Sequence, residues 1–234
     1  MKDRKRYNQI AIIISFIALL LLVCYLFYSK WQKEKNIFVY EEHLNDIVVT
    51  VGNQPVTLRE FGYYIAKMEK QVQEQALIYN PNDPMEYWNV HFSAGLDSGY
   101  MFEYAWNYAL ADCVCDLISV QKAQDEGYSL SENGYKQAEI QAEELYTMLS
   151  SEQIEKTGLT VDLLIMIEER RLLVQSYTNS FMEENELSRY VDNIMECISG
   201  NNSMVMGREV TCNEDMKNNI RMGTITVNCN GNIK

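Results

Sequence analysis

The chain has 234 residues, room for one or two domains, and a net charge of −13. Residues 1–28 hold four bases and one acid, which leaves −16 on residues 29–234. So acidic a surface repels phosphate backbones and argues against a nucleic-acid partner, whereas it suits a solvated domain and draws basic unfolded chains toward it.

Residues 1–9 open with MKDRKR, a basic tail. Residues 10–28, IAIIISFIALLLLVCYLFY, carry no charge over 19 positions, and Ser15 is their one ordinary polar group. About 20 apolar residues cross a bilayer core as a helix, and positive flanks stay cytoplasmic. A second basic flank (Lys30, Lys33, Lys35) weakens the bias without reversing it. A cleaved signal peptide needs an Ala-x-Ala-like site, which is lacking, and a lipoprotein cut before Cys24 needs a small residue where Val23 stands. The expectation is a single-pass anchor in the cell membrane, in contact with lipid through residues 10–28. Its N-terminus lies in the cytoplasm and the bulk outside it, joined through a linker at residues 29–45.

Residues 46–200 carry the pattern of a helical domain. VVTVGNQPVT (residues 48–57) is two short strands about Gly52-Asn53-Gln54-Pro55. Thr57-Leu58-Arg59-Glu60 has the form of a capping box. Phe61, Ile65, Met68, Val72, Ala76 and Tyr79 then make one apolar stripe, and the prolines of Asn80-Pro81-Asn82-Asp83-Pro84 end the helix. Residues 85–98 read as a loop. A second helix runs from about Tyr100 to Glu126, with apolar residues on several faces, as if sandwiched between neighbours; Gly127 closes it. Ser131 starts a third, Ser151–Lys156 form a short turn of helix ended by Gly158, and Thr160 caps a long one. That last pattern continues past Asn185-Glu186 to Gly200. In residues 201–234 both a weak β-hairpin and a frayed tail fit the sequence.

Little here suggests catalysis. No G-x-S-x-G elbow or glycine-rich phosphate loop occurs, and the adjacent carboxylates Glu41-Glu42, Glu143-Glu144, Glu168-Glu169 and Glu183-Glu184 read as solvated charge. Two histidines (His43, His91) and six cysteines without a CxxC give no metal site, so no enzyme and no cofactor is expected. Cys113 and Cys115 stand two apart on a helix, where they do not face each other; among Cys197, Cys212 and Cys229 one pair could bridge in an oxidising compartment. The functional lead is aromatic. Tyr63, Tyr64, Trp88, Tyr100, Tyr104, Trp106 and Tyr108 crowd the first half, and rings with polar tips suit surfaces that hold varied apolar peptides.

Three segments carry a resemblance. VVTVGNQPVTLREFGYYI resembles the strand pair and first helix that open the SurA/PrsA-type foldases, with Gly-Asn where Asn-Gly is usual. Ala123 to Glu132, with Gly127, Leu130 and Ser131, is similar to a junction in that family. So is Gly158-Leu159-Thr160 with the helix after it, and together the likeness covers roughly residues 46–184. It implies a mostly α-helical chaperone domain with a short β-hairpin, exported and tethered outside a membrane, whose hairpin can pair with a returning strand from the other end. Residues 224–228 are the expected partner. The 49 residues after Asn185 are too few for the family's parvulin isomerase domain. The resemblance therefore implies holding or assisting unfolded and exported polypeptides without catalysis. The alternative is a structural adaptor docking one dedicated partner in an envelope assembly.

Overall fold

The structure, a computed structural model, describes residues 38–94, 97–181 and 204–227, together with Val23, Ile194 and Glu196. The chain divides into two units, Met1–Val39 and Tyr40–Lys234. The expected membrane helix, residues 10–28, lies outside the described residues except for Val23. Among the described residues no helix is long and apolar enough to cross a membrane. The second unit is mostly helical with a small antiparallel sheet.

β-branched residues build the sheet. Strands β1 (Ile47–Val51) and β2 (Gln54–Thr57) form a hairpin about Gly52, whose φ of +59° favours glycine. Pro55 falls on the outer strand, where its missing N–H costs no ladder bond. The register shifts between Ile47 and Val49, and this bulge lets the adjacent Val48 and Val49 both be buried. On the other side of β1 lies β6 (Arg208–Cys212), paired in turn with β5 (Met204–Val205), so the order is β2-β1-β6-β5. The β5–β6 turn, Met206-Gly207, has positive φ at both residues, as a two-residue hairpin of the right twist requires. The returning strand is thus at 208–212, and residues 224–227 of the expected 224–228 form none.

Helix α1 (Leu58–Tyr79) starts where Thr57 Oγ1 accepts from the Glu60 amide at 3.3 Å. Only half of the capping box forms, because the Glu60 carboxylate turns away to pair with Arg170. The stretch expected as loop holds a short helix, α2 (Met85–Trp88), and a second hairpin, β3 (His91–Ala94) with β4 (Asp97–Tyr100). These strands lack β-branched residues, which is why no strand pattern announces them. Helix α3 (Met101–Asp125) is buried on several faces and packs against α1, β1 and α6 (Val161–Phe181). Between α3 and α6 come α4 (Glu132–Met148), capped by Ser131 and laid along α6, and α5 (Ser151–Thr157). Gly158 at φ +66° ends α5, and Thr160 Oγ1 caps α6 through the Leu163 amide at 3.3 Å. The expected continuation of α6 to Gly200 lies outside the described residues apart from Ile194 and Glu196. Helix α7 (Glu214–Asn219) follows β6 and is capped by Asn213, whose amide also donates to Ile47 O at 2.8 Å.

The buried stripe of α1 departs from the expected one. Phe61, Ile65 and Ala76 are inside, but Glu69 and Gln73 stand between them, while Met68 and Val72 are half-buried and Tyr79 is exposed. Glu69 is fully buried, and the segment after α7 folds over it. The amides of Gly223, Thr224 and Ile225 donate to Glu69 Oε1 at 2.5, 3.2 and 3.2 Å; the Thr226 amide and hydroxyl donate to Oε2 at 2.5 and 2.6 Å. Four successive N–H groups around one carboxylate form a main-chain anion nest, here wrapped about the protein's own side chain. Residues 224–228, apolar and polar in alternation, look like a strand in sequence; Thr224, Ile225 and Thr226 spend their amides on Glu69 instead.

Deleting residues 204–234 removes β5, β6, α7 and this strap, and opens one edge of β1. Scanning calorimetry of the shortened chain is expected to show loss of the cooperative transition or a Tm lower by about 10 °C or more. An unchanged melting curve would show that the C-terminal segment is not part of the folded unit.

Candidate functional site

The seven aromatic positions separate into two groups. Tyr63, Tyr64, Trp88 and Trp106 are at most 6% exposed, so they are core residues and not part of an open cradle. The reason is their place: α1 packs on α3 and reaches Glu168 of α6 through Tyr63, so even adjacent tyrosines on it find cover. Trp106 meets Phe61 edge-on at 5.0 Å, and Trp88 Nε1 donates to Gln73 Oε1 at 2.8 Å. The Tyr64 hydroxyl donates to Asp116 at 3.1 Å and that of Tyr63 to Glu168 at 3.0 Å.

Tyr100, Tyr104 and Tyr108 remain at the surface. Tyr100 is 43% and Tyr108 52% exposed, and Tyr104 is half-buried. Around them Tyr100 stacks on Phe102 at 5.4 Å and touches His91 at 4.8 Å, while Phe92 meets Tyr104 edge-on at 6.1 Å. Hairpin β3–β4 and the first turns of α3 thus present an aromatic ledge.

The ledge leads into a polar groove. Tyr104, Tyr108, Asp112 and Asp116 follow one another at intervals of four along α3, a single ridge on its surface. The last two open onto a groove of about 570 Å³ that is also lined by Lys67, Gln141, Glu168 and Arg171. Lys67 Nζ lies 2.9 Å from Asp112. Arg171 Nη1 donates to both Glu168 oxygens at 2.9 and 3.1 Å and to the Tyr63 hydroxyl at 2.7 Å. Among the described residues no base lies within ion-pair distance of Asp116. Burial pushes its pKa up to about 6 from 3.8, against the opposing pull of the Tyr64 hydroxyl, Arg171 and Lys67. Burial likewise lifts the Tyr63 phenol well above its ordinary range, with Arg171 opposing. The groove therefore offers hydrogen-bond acceptors and a carboxylate whose charge is under-compensated, at the end of a row of rings.

Two features were hidden in the sequence. Glu168, in a pair read as solvated charge, is inside at 2% exposed, and beside it the largely buried Arg170 pairs with Glu60 across helices while Arg171 is half-buried. The only sign was position, since Ile167 and Glu168 share the inward side of α6. His43 pairs with Asp46 at 2.6 Å, and His91 meets the Ser98 hydroxyl at 3.2 Å. Among the described residues no cluster of His, Cys, Asp and Glu is arranged to hold a metal ion. Cys113 is buried in α3, Cys115 borders the groove, and Cys212 lies opposite Val49 in the sheet, whereas Cys197 and Cys229 lie outside the described residues. No family model, curated protein or solved structure matches the chain.

Asp116 yields a pH test. Its folded pKa lies above the unfolded value, so its stabilising contribution is complete below pH 3.8 and is lost as pH rises through about 6. The Asp116→Asn variant keeps the acceptor for Tyr64 and removes the titration. Its stability relative to the parent is expected to rise across that window, by up to about 3 kcal/mol, and to level off above it. Melting curves from pH 4 to pH 8 read this directly; a constant difference would mean that Asp116 does not titrate there.

Proposed function

We propose that the chain is a single-pass membrane protein whose extracytoplasmic helical domain, of the SurA/PrsA type, holds exported polypeptides by contact alone. The surface of α3 and its N-terminal flank carries the reading: the exposed rings of Tyr100 and Tyr108, with the half-buried Tyr104 between them, pass into carboxylates at Asp112 and Asp116. Tyrosines immobilise few torsions and bury large area, so they bind apolar segments with little selectivity. The acidic end, and the −16 of residues 29–234, favour clients that are basic as well as apolar. No bond need be made or broken. The 19 apolar residues at 10–28 would keep the domain beside the membrane where exported chains emerge.

The full chain in detergent micelles is expected to suppress aggregation of several unrelated unfolded proteins, basic ones most strongly and less so in high salt. Replacing Tyr104 and Tyr108 together by Ser is expected to weaken this about tenfold or more while shifting Tm by only a few degrees. Protection of no client, with a single stoichiometric partner captured instead, would contradict the reading and favour an adaptor.

A further inference from the structure

The strap over Glu69 is held in large part by its main chain. Beyond the four amides on Glu69, its carbonyls are also bound: Lys156 Nζ donates to Thr224 O at 3.0 Å and Gln153 Nε2 to Thr226 O at 2.8 Å. The side chains contribute three buried apolar groups, Ile220, Met222 and Ile225, and the Thr226 hydroxyl, while Arg221 donates to Asn89 Oδ1 and lies over the Phe102 ring at 4.6 Å. At Gly223 the site is selective. Its φ is +88°, and a Cβ there would fall 2.5 Å from the Trp88 ring. The segment has neither strand nor helix of its own; docking alone gives it shape. One further group is unspent. Gln73, one turn along α1 from Glu69 and 1% exposed, turns Oε1 to Trp88 but leaves Nε2 without an acceptor among the described residues. Its amide is a main-chain-reading donor that the strap does not satisfy.

The geometry points to a peptide-binding site between α1, α2 and α5 that residues 220–227 fill in cis and that takes, in trans, an extended polypeptide segment of the pattern apolar-Gly-X-apolar-Ser/Thr. Glu69, Gln153 and Lys156 read N–H and C=O groups, which any sequence supplies. Trp88 demands the glycine, and the pockets of Met222 and Ile225 demand the apolar flanks. The occupant is a segment of another chain and not a small anion, because recognition runs over four consecutive residues. The site adjoins the aromatic ledge where Arg221 lies over Phe102, but it uses none of Tyr104, Tyr108, Asp112 and Asp116 and does not depend on the reading given for them. In the resting chain the strap holds its place at an effective concentration of about millimolar, so a free peptide competes poorly until the strap is loosened.

The test is fluorescence anisotropy with a labelled peptide of sequence IRMGTITV, identical to residues 220–227, on the full chain in micelles. The parent is expected to bind it only near about 1 mM, whereas Gly223→Ala, which cannot seat its own strap against Trp88, binds about tenfold tighter or more. In that background Gln153→Ala with Lys156→Met is expected to lose about tenfold, and a peptide with Ala for Gly not to bind. Tyr104→Ser with Tyr108→Ser leaves this binding unchanged, so it is distinguishable from client holding. Should Gly223→Ala not fold, Thr226→Val loosens the strap more gently by removing one hydroxyl from Glu69. A folded, loosened variant that binds no peptide, equal binding of the Ala peptide, or failure of both variants to fold would each overturn the proposal, the last by showing that the strap is inseparable from the core.

Discussion

Glu69 sits in the apolar stripe of α1 with its carboxylate sealed from water and surrounded by the amides of Gly223 to Thr226. Burying a carboxylate is costly, and burial indeed raises its pKa while the hydrogen bonds from Thr226, Ile225 and Gly223 work against that rise. The balance leaves a contact that adds little net stability but is expensive to disturb on one side only, since either the charge or four amides would stay buried and unpaired. Such a contact fixes where the C-terminal segment lies. β6 then completes the sheet beside β1, Asn213 ties α7 to Ile47, and Gly223 closes over Trp88.

The same logic operates in the second buried polar cluster. Tyr63, Glu168 and Arg171 satisfy one another, and Glu60 and Arg170 pair beside them, so α1 and α6 are held in one register by groups that cannot slide past apolar partners. With the inner side of α3 packed against α1, β1 and α6, Tyr108 is left to solvent while Asp112 and Asp116 line a groove at the edge of α1, paired with Lys67 and Tyr64. A rigid inner side is what lets an exposed aromatic row keep its spacing.

Helices α1, α3, α4, α5 and α6 were legible because each has a local start or stop: Thr57, Ser131 and Thr160 at beginnings, Gly127 and Gly158 at ends. Helix α2, in a stretch read as loop, and α7, in one read as hairpin or tail, were not. The first hairpin was legible from its valines. The second, His91 to Tyr100, was not, since its strands are four residues each and carry no β-branched side chain. Long-range pairing was half legible. A strand returning to β1 followed from the resemblance, but its register depended on a choice between Arg208–Cys212 and the better-looking alternation at 224–228, which only Glu69 decides. Of the seven aromatic positions, composition could find the cluster but not sort it. Tyr64 and Tyr108 look alike in sequence, and what separates them is whether another helix lies over that side. Glu69 and Gln73 were missed, because the apolar stripe read from the sequence runs through Met68 and Val72; their burial conflicts with that local pattern and marks the place where the tail docks.

Amide hydrogen exchange at Gly223, Thr224, Ile225 and Thr226 in the full chain tests the arrangement most directly. If the Glu69 carboxylate anchors the C-terminal segment, these four amides exchange at least about a thousandfold more slowly than in a free peptide, and Glu69→Gln removes most of that protection. Exchange at the free-peptide rate in the parent chain would show that the segment is not held, and the account of both fold and strap would be wrong.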